Sequence, residues 1–443
     1  MPNPRSSGLF RALPREVAIL SSVSFTVALG YGIVAPGIPA FARQFGVSTA
    51  AAASVISAFA LMRIIGALPS GRLVDRLGER KMIAIGIVIV AVSSVLAGFS
   101  GSFVQLIVLR GVGGLGSAMF GVGAQTLLLR SVPSDLRGRA SGLYTGGFLL
   151  GGISGPAIGG LVAAWSLPAP FFIYGGMLLI PAAIAVVVLH GTARRAADDE
   201  QRRPQRPRAG IAAALRSRAY RAAASANLAD GFAVMGVRAA IVPLFVRDVL
   251  HESATWTGIG FLVVAALNAA TLLPGGKVAD TIGRRPVIVA GCLTSGASMV
   301  MLAVLPGLWG FLLALAVLGL GSGLLDVAPA AMIGDLLGTA TGQGGTGQGG
   351  TGPGDTGQGD RRQGSAAQGG TIVASYQMVG DIGTVSGPVA VGFLVDSVSY
   401  SAAFVLAAAV LGLAAVAGFF APETRKASKA AASEPVAAGV SRA

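Results

Sequence analysis

Gly71-Arg-Leu-Val-Asp-Arg-Leu-Gly-Glu-Arg-Lys81 is a short, charged, glycine-punctuated stretch between two long apolar runs. A near copy follows as Gly276-Lys-Val-Ala-Asp-Thr-Ile-Gly-Arg-Arg-Pro286. Gly71, Asp75, Gly78 and Arg80 align with Gly276, Asp280, Gly283 and Arg285, each 205 residues later. A charged hinge repeated at constant offset in an apolar chain implies two similar halves.

The class of protein follows from composition. Of 443 residues, 53% are apolar and 12% are charged, against about a quarter charged in soluble domains. The charges cluster, and between the clusters apolar runs reach the roughly 20 residues that cross a bilayer core. An α-helix satisfies its backbone polar groups internally in lipid; the alternating ten-residue strands of a membrane barrel are not seen. The expected fold is an all-α polytopic membrane protein. Twelve spans are predicted, near 16–40, 50–71, 82–99, 103–129, 139–164 and 170–189, then 220–246, 255–276, 286–305, 308–334, 370–395 and 399–420. The first run has no signal-peptide cleavage pattern and is expected to be retained. The single Cys292 and the two histidines, His190 and His251, indicate no disulfide and no metal site.

The basic residues set the orientation. With the N-terminus inside, 28 of the 33 Lys and Arg fall in inside segments, and only Arg43 and Arg247 in outside loops. The positive-inside rule then predicts the cytoplasmic membrane with both termini cytoplasmic. The net charge of +14 reflects this placement, so nucleic acid is not an expected partner.

The expected organisation is an N-tail (1–15), an N-terminal six-helix bundle (16–189), a cytoplasmic linker (190–219), a C-terminal six-helix bundle (220–420) and a C-tail (421–443). A Gly/Gln-rich tract at 338–369 cannot bury apolar surface and is expected to be disordered. Repeats locate it. Pro39 aligns with Pro243 at offset 204, and Ser154-Gly155-Pro156 with Ser386-Gly387-Pro388 at offset 232. The growth in offset is close to the length of the tract, so the tract is an insertion into a regular duplication.

These residues resemble the major facilitator superfamily. The hinge is similar to its loop 2–3 signature, and Leu109-Arg110-Gly-Val-Gly113-Gly114 to its span-4 signature. Gly151-Gly-Ile-Ser-Gly155-Pro156-Ala-Ile-Gly159-Gly160 resembles the span-5 signature of its drug:proton antiporters. The resemblance implies two pseudo-symmetric six-helix bundles that rock around a central site. It also implies a latch in which Asp75 meets the N-terminus of span 11, with Arg139 or Arg76 as charge partner. Gly71, Gly78, Arg80, Asp280 and Gly283 complete the two latch copies. Gly151, Gly155, Pro156 and Gly159, with Gly387 and Pro388 in span 11, make small, bendable stripes. These are expected at the interface of the two halves.

Intramembrane charges are the functional candidates, because an unpaired charge there is costly. Asp230, Asp381 and Asp326 are candidate proton carriers. Span 1 has no interior acid, so the second half would have to supply the proton site. The resemblance places spans 1, 4, 7 and 10 around the cavity. Arg110, Arg238, Tyr31, Phe25, Asn227, Met119 and Met235 are the cavity candidates. Spans 2 and 11 meet across the halves, which makes Arg63 and Asp381 a candidate pair. The expected activity is proton-driven export of a hydrophobic or amphipathic small molecule. The alternative is proton-coupled uptake of a small polar metabolite. No P-loop, zinc-ligand cluster or nucleophile–base set is present, so no enzyme, metal or cofactor is expected beyond the proton gradient. The expected partners are substrate, protons and the bilayer, with the chain acting as a monomer.

Overall fold

The computed structural model describes residues 14–132, 137–189, 215–305, 307–340 and 357–424. All regular elements among them are helical. The first half contains α1 (Arg15–Val34), α2 (Gly37–Arg43), α3 (Thr49–Leu77), α4 (Glu79–Gly98), α5 (Phe103–Ser131), α6 (Arg137–Trp165) and α7 (Ala169–Leu189). The second half contains α8 (Arg218–Asp230), a π-helix (Gly231–Val237), α9 (Arg238–Ala240) and α10 (Val242–Asp248). It continues with α11 (Ala254–Thr281), α12 (Arg284–Val304), α13 (Leu308–Ala340), α14 (Gly357–Ser397) and α15 (Tyr400–Phe419). Eleven helical stretches are long and apolar enough to cross a membrane. α7, at 21 residues, is the twelfth rod.

Local chemistry sets the helix ends. The hydroxyls of Ser48, Ser102, Ser217 and Ser399 accept from the amide three residues on, opening α3, α5, α8 and α15. The two hinges close on glycines with positive φ, +81° at Gly78 and +135° at Gly283, a region that favours residues without a Cβ. The first span breaks at Ala35–Pro36 into α1 and α2.

α1 packs on α6, α3 and α7 flank α5 and α4, and the second half repeats this plan with α8 and the π-helix against α14. The duplication reaches individual contacts. A Cβ on Gly32 would stand 2.8 Å from the ring of Pro156, and one on Gly236 2.8 Å from the ring of Pro388. The halves meet along two seams, α6 on α11 and α14 on α3. Each seam carries one backbone-close approach, Gly160 on Gly258 and Gly392 on Ala50.

Two sequence expectations need correction. The glycine stripes do not face the opposite half. Gly151 packs on the backbone at Phe25, Gly155 on Leu29 and Gly32, and Gly159 on Ile33, all in α1 of the same bundle. Gly387 likewise packs on Phe232. The four-residue step marks a smooth face, and that face seats span 1 on span 5; only the neighbouring positions Gly160 and Gly392 reach across. The described parts of the Gly/Gln tract are helical rather than disordered. Residues 338–340 end α13, and residues 357–369 form the first turns of α14. Residues 341–356, most of the linker and the distal tails lie outside the described residues, as does the side chain of Arg139.

Replacing Gly155 by valine should lower the stability of the detergent-solubilised protein by about 1–3 kcal/mol, because the new side chain overpacks α1. A Cβ there would lie 2.6 Å from the Cα of Gly32. Replacing Gly142, which faces open space, by alanine should leave the thermal midpoint unchanged. Thermal unfolding of the two variants checks this contrast.

Candidate functional site

The second half concentrates charge inside the membrane. Asp230 ends α8, and Arg238 follows the π-helix. The wide turns between them change the phase of the helix, a device common at functional sites. Arg238 is 9% exposed, with its guanidinium 5.5 Å from the centroid of the Phe261 ring. Asp326 on α13 accepts a 2.7 Å hydrogen bond from the Asn268 amide of α11, which also donates to the Ser322 hydroxyl at 2.9 Å. Oδ1 of Asp230 is buried without a hydrogen-bond partner. Asp230, Asp326 and Arg238 are close enough for their charges to interact. Arg238 thus lies within electrostatic reach of two carboxylates without an ion pair to either.

The first half is opposite in sign. Arg110 on α5 is 1% exposed, and its Nε and Nη2 lack hydrogen-bond partners. It lies over an aromatic pair, 4.6 Å from the Phe59 centroid and 5.9 Å from that of Tyr31. Those two rings pack at 5.0 Å. Cation–π attraction offsets part of the cost of burying the cation.

Two cavity candidates, Asn227 and Met119, pack against neighbouring helices. Asn227 donates to the Tyr376 carbonyl at 2.7 Å and abuts Gly380, so it ties α8 to α14. Met119 stands beside Gly86 and packs α5 on α4. Phe25 and Met235 are exposed, at 37% and 42%. Asp381 forms an ion pair with Arg63 across the halves, so its charge is already matched.

Polar ties between the bundles gather at the end away from the hinges. Away from the hinges, the Asp396 carboxylate of α14 accepts from the Thr49 and Ala50 amides of α3, at 2.9 and 2.8 Å. Arg43 donates to the Thr49 hydroxyl at 3.0 Å and lies 3.8 Å from Asp248, which accepts from the Tyr400 hydroxyl at 2.7 Å. Nearer mid-membrane, the Ser57 hydroxyl donates to the Val385 carbonyl at 2.7 Å. On the hinge side of Arg63–Asp381, the ties seen run within one half, as Asp280–Arg284–Asp335 does.

At the hinge end Asp75, Arg76 and Leu77 are exposed, and Gly71 and Gly78 face open space. Asp75 has no partner among the described residues. Its counterpart Asp280 pairs with Arg284, which also reaches Asp335 at 3.2 Å. Glu423 accepts from the amides of Arg284 and Arg285 at 2.9 and 3.1 Å, which pins the chain after α15 to the N-terminus of α12. Sequence reasoning missed Asp396, Asp248 and the π-helix. Asp396 acts on backbone amides of another helix, and such a contact leaves no side-chain pattern to find.

Two outcomes test this geometry. Asp381→Asn should cost about 1–2 kcal/mol of thermal stability, the pair being partly exposed, and Arg63→Gln added to it should restore most of the loss. A double-mutant cycle of melting temperatures checks it. Asp396→Ala should remove about 1 kcal/mol from the closed end and speed thiol labelling of a cysteine at Ala53 about fivefold in a Cys292→Ser background.

The Major Facilitator Superfamily family matches residues 20–353 and 223–442. The quinolone resistance protein NorA of Staphylococcus aureus (strain MRSA252) is 28% identical over 176 residues, 40% of this chain and 45% of NorA. Multidrug resistance protein 2 of Bacillus subtilis (strain 168) is 31% identical over 172 residues, 39% of this chain and 43% of that protein. The aligned stretch thus spans about half the length of these relatives. A crystal structure of a bacterial homolog of the human lysosomal transporter Spinster, inward-facing and unoccupied, superposes with TM-score 0.69. It is 15% identical and covers 96% of this chain and 99% of that one, a likeness of fold.

Proposed function

Because the chain belongs to the major facilitator superfamily, we propose that it is a secondary active transporter exporting a hydrophobic or amphipathic small molecule by proton antiport. The observation that carries the proton coupling is the buried Asp230 carboxylate, whose Oδ1 has no hydrogen-bond partner, with Asp326 and Arg238 near enough for their charges to interact. With both carboxylates ionised, the trio holds one excess negative charge inside the membrane, and one proton removes it. Asp230, whose Oδ1 has no hydrogen-bond partner, is the carrier; Asp326 is already held by Asn268. Asp381 is a structural partner of Arg63 and drops out as a carrier.

The export direction draws on the drug-resistance names of the relatives and on the apolar composition of span 1. With the hinges cytoplasmic, a state parted at the hinge end would open toward the cytoplasm and accept cargo for export. The proton enters when the opposite end opens and leaves to the cytoplasm when the chain returns. The apolar and aromatic surroundings of Arg110 and Tyr31 suit a lipophilic cargo better than a sugar. In the hinge-closed state Asp75 latches that end; in the state described it is disengaged.

Everted membrane vesicles containing the protein should lose part of an imposed pH gradient when a transported lipophilic compound is added. Asp230→Asn should abolish that response. Undiminished proton flux in this variant would remove Asp230 from the mechanism. Cells expressing the protein should accumulate less of a labelled lipophilic cation, and higher accumulation would reverse the direction.

A further inference from the structure

At the closed end, a cavity of about 260 Å³ lies between the bundles and takes no part in the reading above. Its walls come from both halves: proline, alanine and aliphatic side chains of α2, α6 and α10, and the start of α11. Arg247, Glu252, Ser253, Ala254 and Thr257 line it on the second-half side. The Thr257 hydroxyl is buried, at 2% exposure, and has no hydrogen-bond partner.

The duplication explains what the cavity lacks. Ser48-Thr49-Ala50 at the start of α3 and Ser253-Ala254-Thr255 at the start of α11 are equivalent positions, 205 residues apart like the hinges. Arg43 and Arg247 are equivalent at offset 204. In the first copy, Asp396 from the opposite bundle places its two oxygens on the Thr49 and Ala50 amides. The residue equivalent to Asp396, at the offset of 232 that relates the two Ser-Gly-Pro motifs, is Ala164. Among the described residues, no carboxylate of the opposite bundle bonds the first-turn amides of α11, and Glu252, just before that helix, belongs to its own half. Ser253 makes no capping bond either, whereas Ser48 does. The N-terminus of a 28-residue helix, with its positive dipole end, is left facing a void.

We infer that this cavity binds a compact carboxylate with an apolar body, whose anionic group takes at α11 the place that Asp396 takes at α3. The amides of Ala254 and Thr255, the Thr257 hydroxyl and the Nη groups of Arg247, whose Nε already holds Asp248 at 2.9 Å, supply donors, and the apolar wall takes the rest of the molecule. About 260 Å³ is smaller than the usual pocket for a drug-sized ligand, so the fit is to a molecule of roughly the size of benzoate. Glu252, partly exposed on the rim, opposes the ligand's charge and weakens binding. Because both bundles line the cavity, occupancy holds the closed end shut.

Benzoate binding to the full chain in detergent, followed by Trp256 fluorescence in a Trp165→Phe/Trp309→Phe background, tests the site without reference to transport. The signal should saturate with benzoate, while benzyl alcohol should bind about tenfold more weakly or not at all, lacking the charge-assisted bonds. Thr257→Val should weaken benzoate about tenfold, and Glu252→Gln should tighten it. Ala164→Asp, which restores the missing carboxylate, should abolish binding. Saturating benzoate should slow thiol labelling of a cysteine at Ala53, which lies in the other seam. Equal binding of benzyl alcohol, unchanged binding in Ala164→Asp, or loss of binding in Glu252→Gln would each overturn the site.

Discussion

Helices in lipid gain nothing by hiding apolar surface from one another, because the solvent is apolar too. What joins the two bundles is therefore close backbone approach plus a few polar ties. Gly160 lies on Gly258, and Gly392 lies on Ala50. No side chain larger than a methyl group stands at either close approach, and Gly160 and Gly392 are equivalent positions under the duplication, 232 residues apart. The polar ties gather around them: Asp396 on the start of α3, and Arg43 with Asp248 beside it. The rest of the architecture depends on this arrangement. The bonds are concentrated at one end, so the other end is free to part.

The same physics separates the roles of the charged residues. Arg63 and Asp381 neutralise each other across a seam and bind the halves. Arg238 lies near two carboxylates, Asp230 and Asp326, so that cluster holds more acid than base. Arg110 is shielded by the faces of Phe59 and Tyr31. The halves share a backbone plan while their charges differ, a cation in the first and excess carboxylate in the second. The duplication is thus a scaffold on which unlike chemistry has been placed. The difference between Asp396 and Ala164 is the same kind of divergence: one seam carries its own carboxylate and the other a cavity.

Much of the fold was legible because its signals are periodic or repeated. Apolar runs of membrane-crossing length located the twelve rods. The paired hinges announced two halves, and the drift of offset placed the insertion. The candidate site was legible in part. Intramembrane Asp and Arg stand out against an apolar background, and Asp230, Asp326 and Arg238 do lie together. Asn227 and Met119 misled because residue type and membrane depth say nothing about which neighbour a side chain meets. Asn227 faces a carbonyl of α14, and Met119 faces Gly86. The helical part of the Gly/Gln tract misled for a related reason. Poor helix propensity at 357–369 is overridden where the segment continues directly into a long helix.

By itself the sequence determined the duplicated twelve-helix plan, the hinge turns that need glycine, and the identity of the charges held in the membrane. These follow from composition, length and repetition, which are properties of the chain alone. The tertiary structure decided which helix each smooth face seats, which charges are matched, and which end is closed. A four-residue glycine step requires a close neighbour without naming it, so Gly151, Gly155 and Gly159 could have faced the other bundle and instead seat α1. A helix N-terminus always offers unbonded amides. Whether a carboxylate reaches them, as Asp396 does at α3 and none of the opposite bundle's described residues does at α11, depends on how two bundles are set against each other in space.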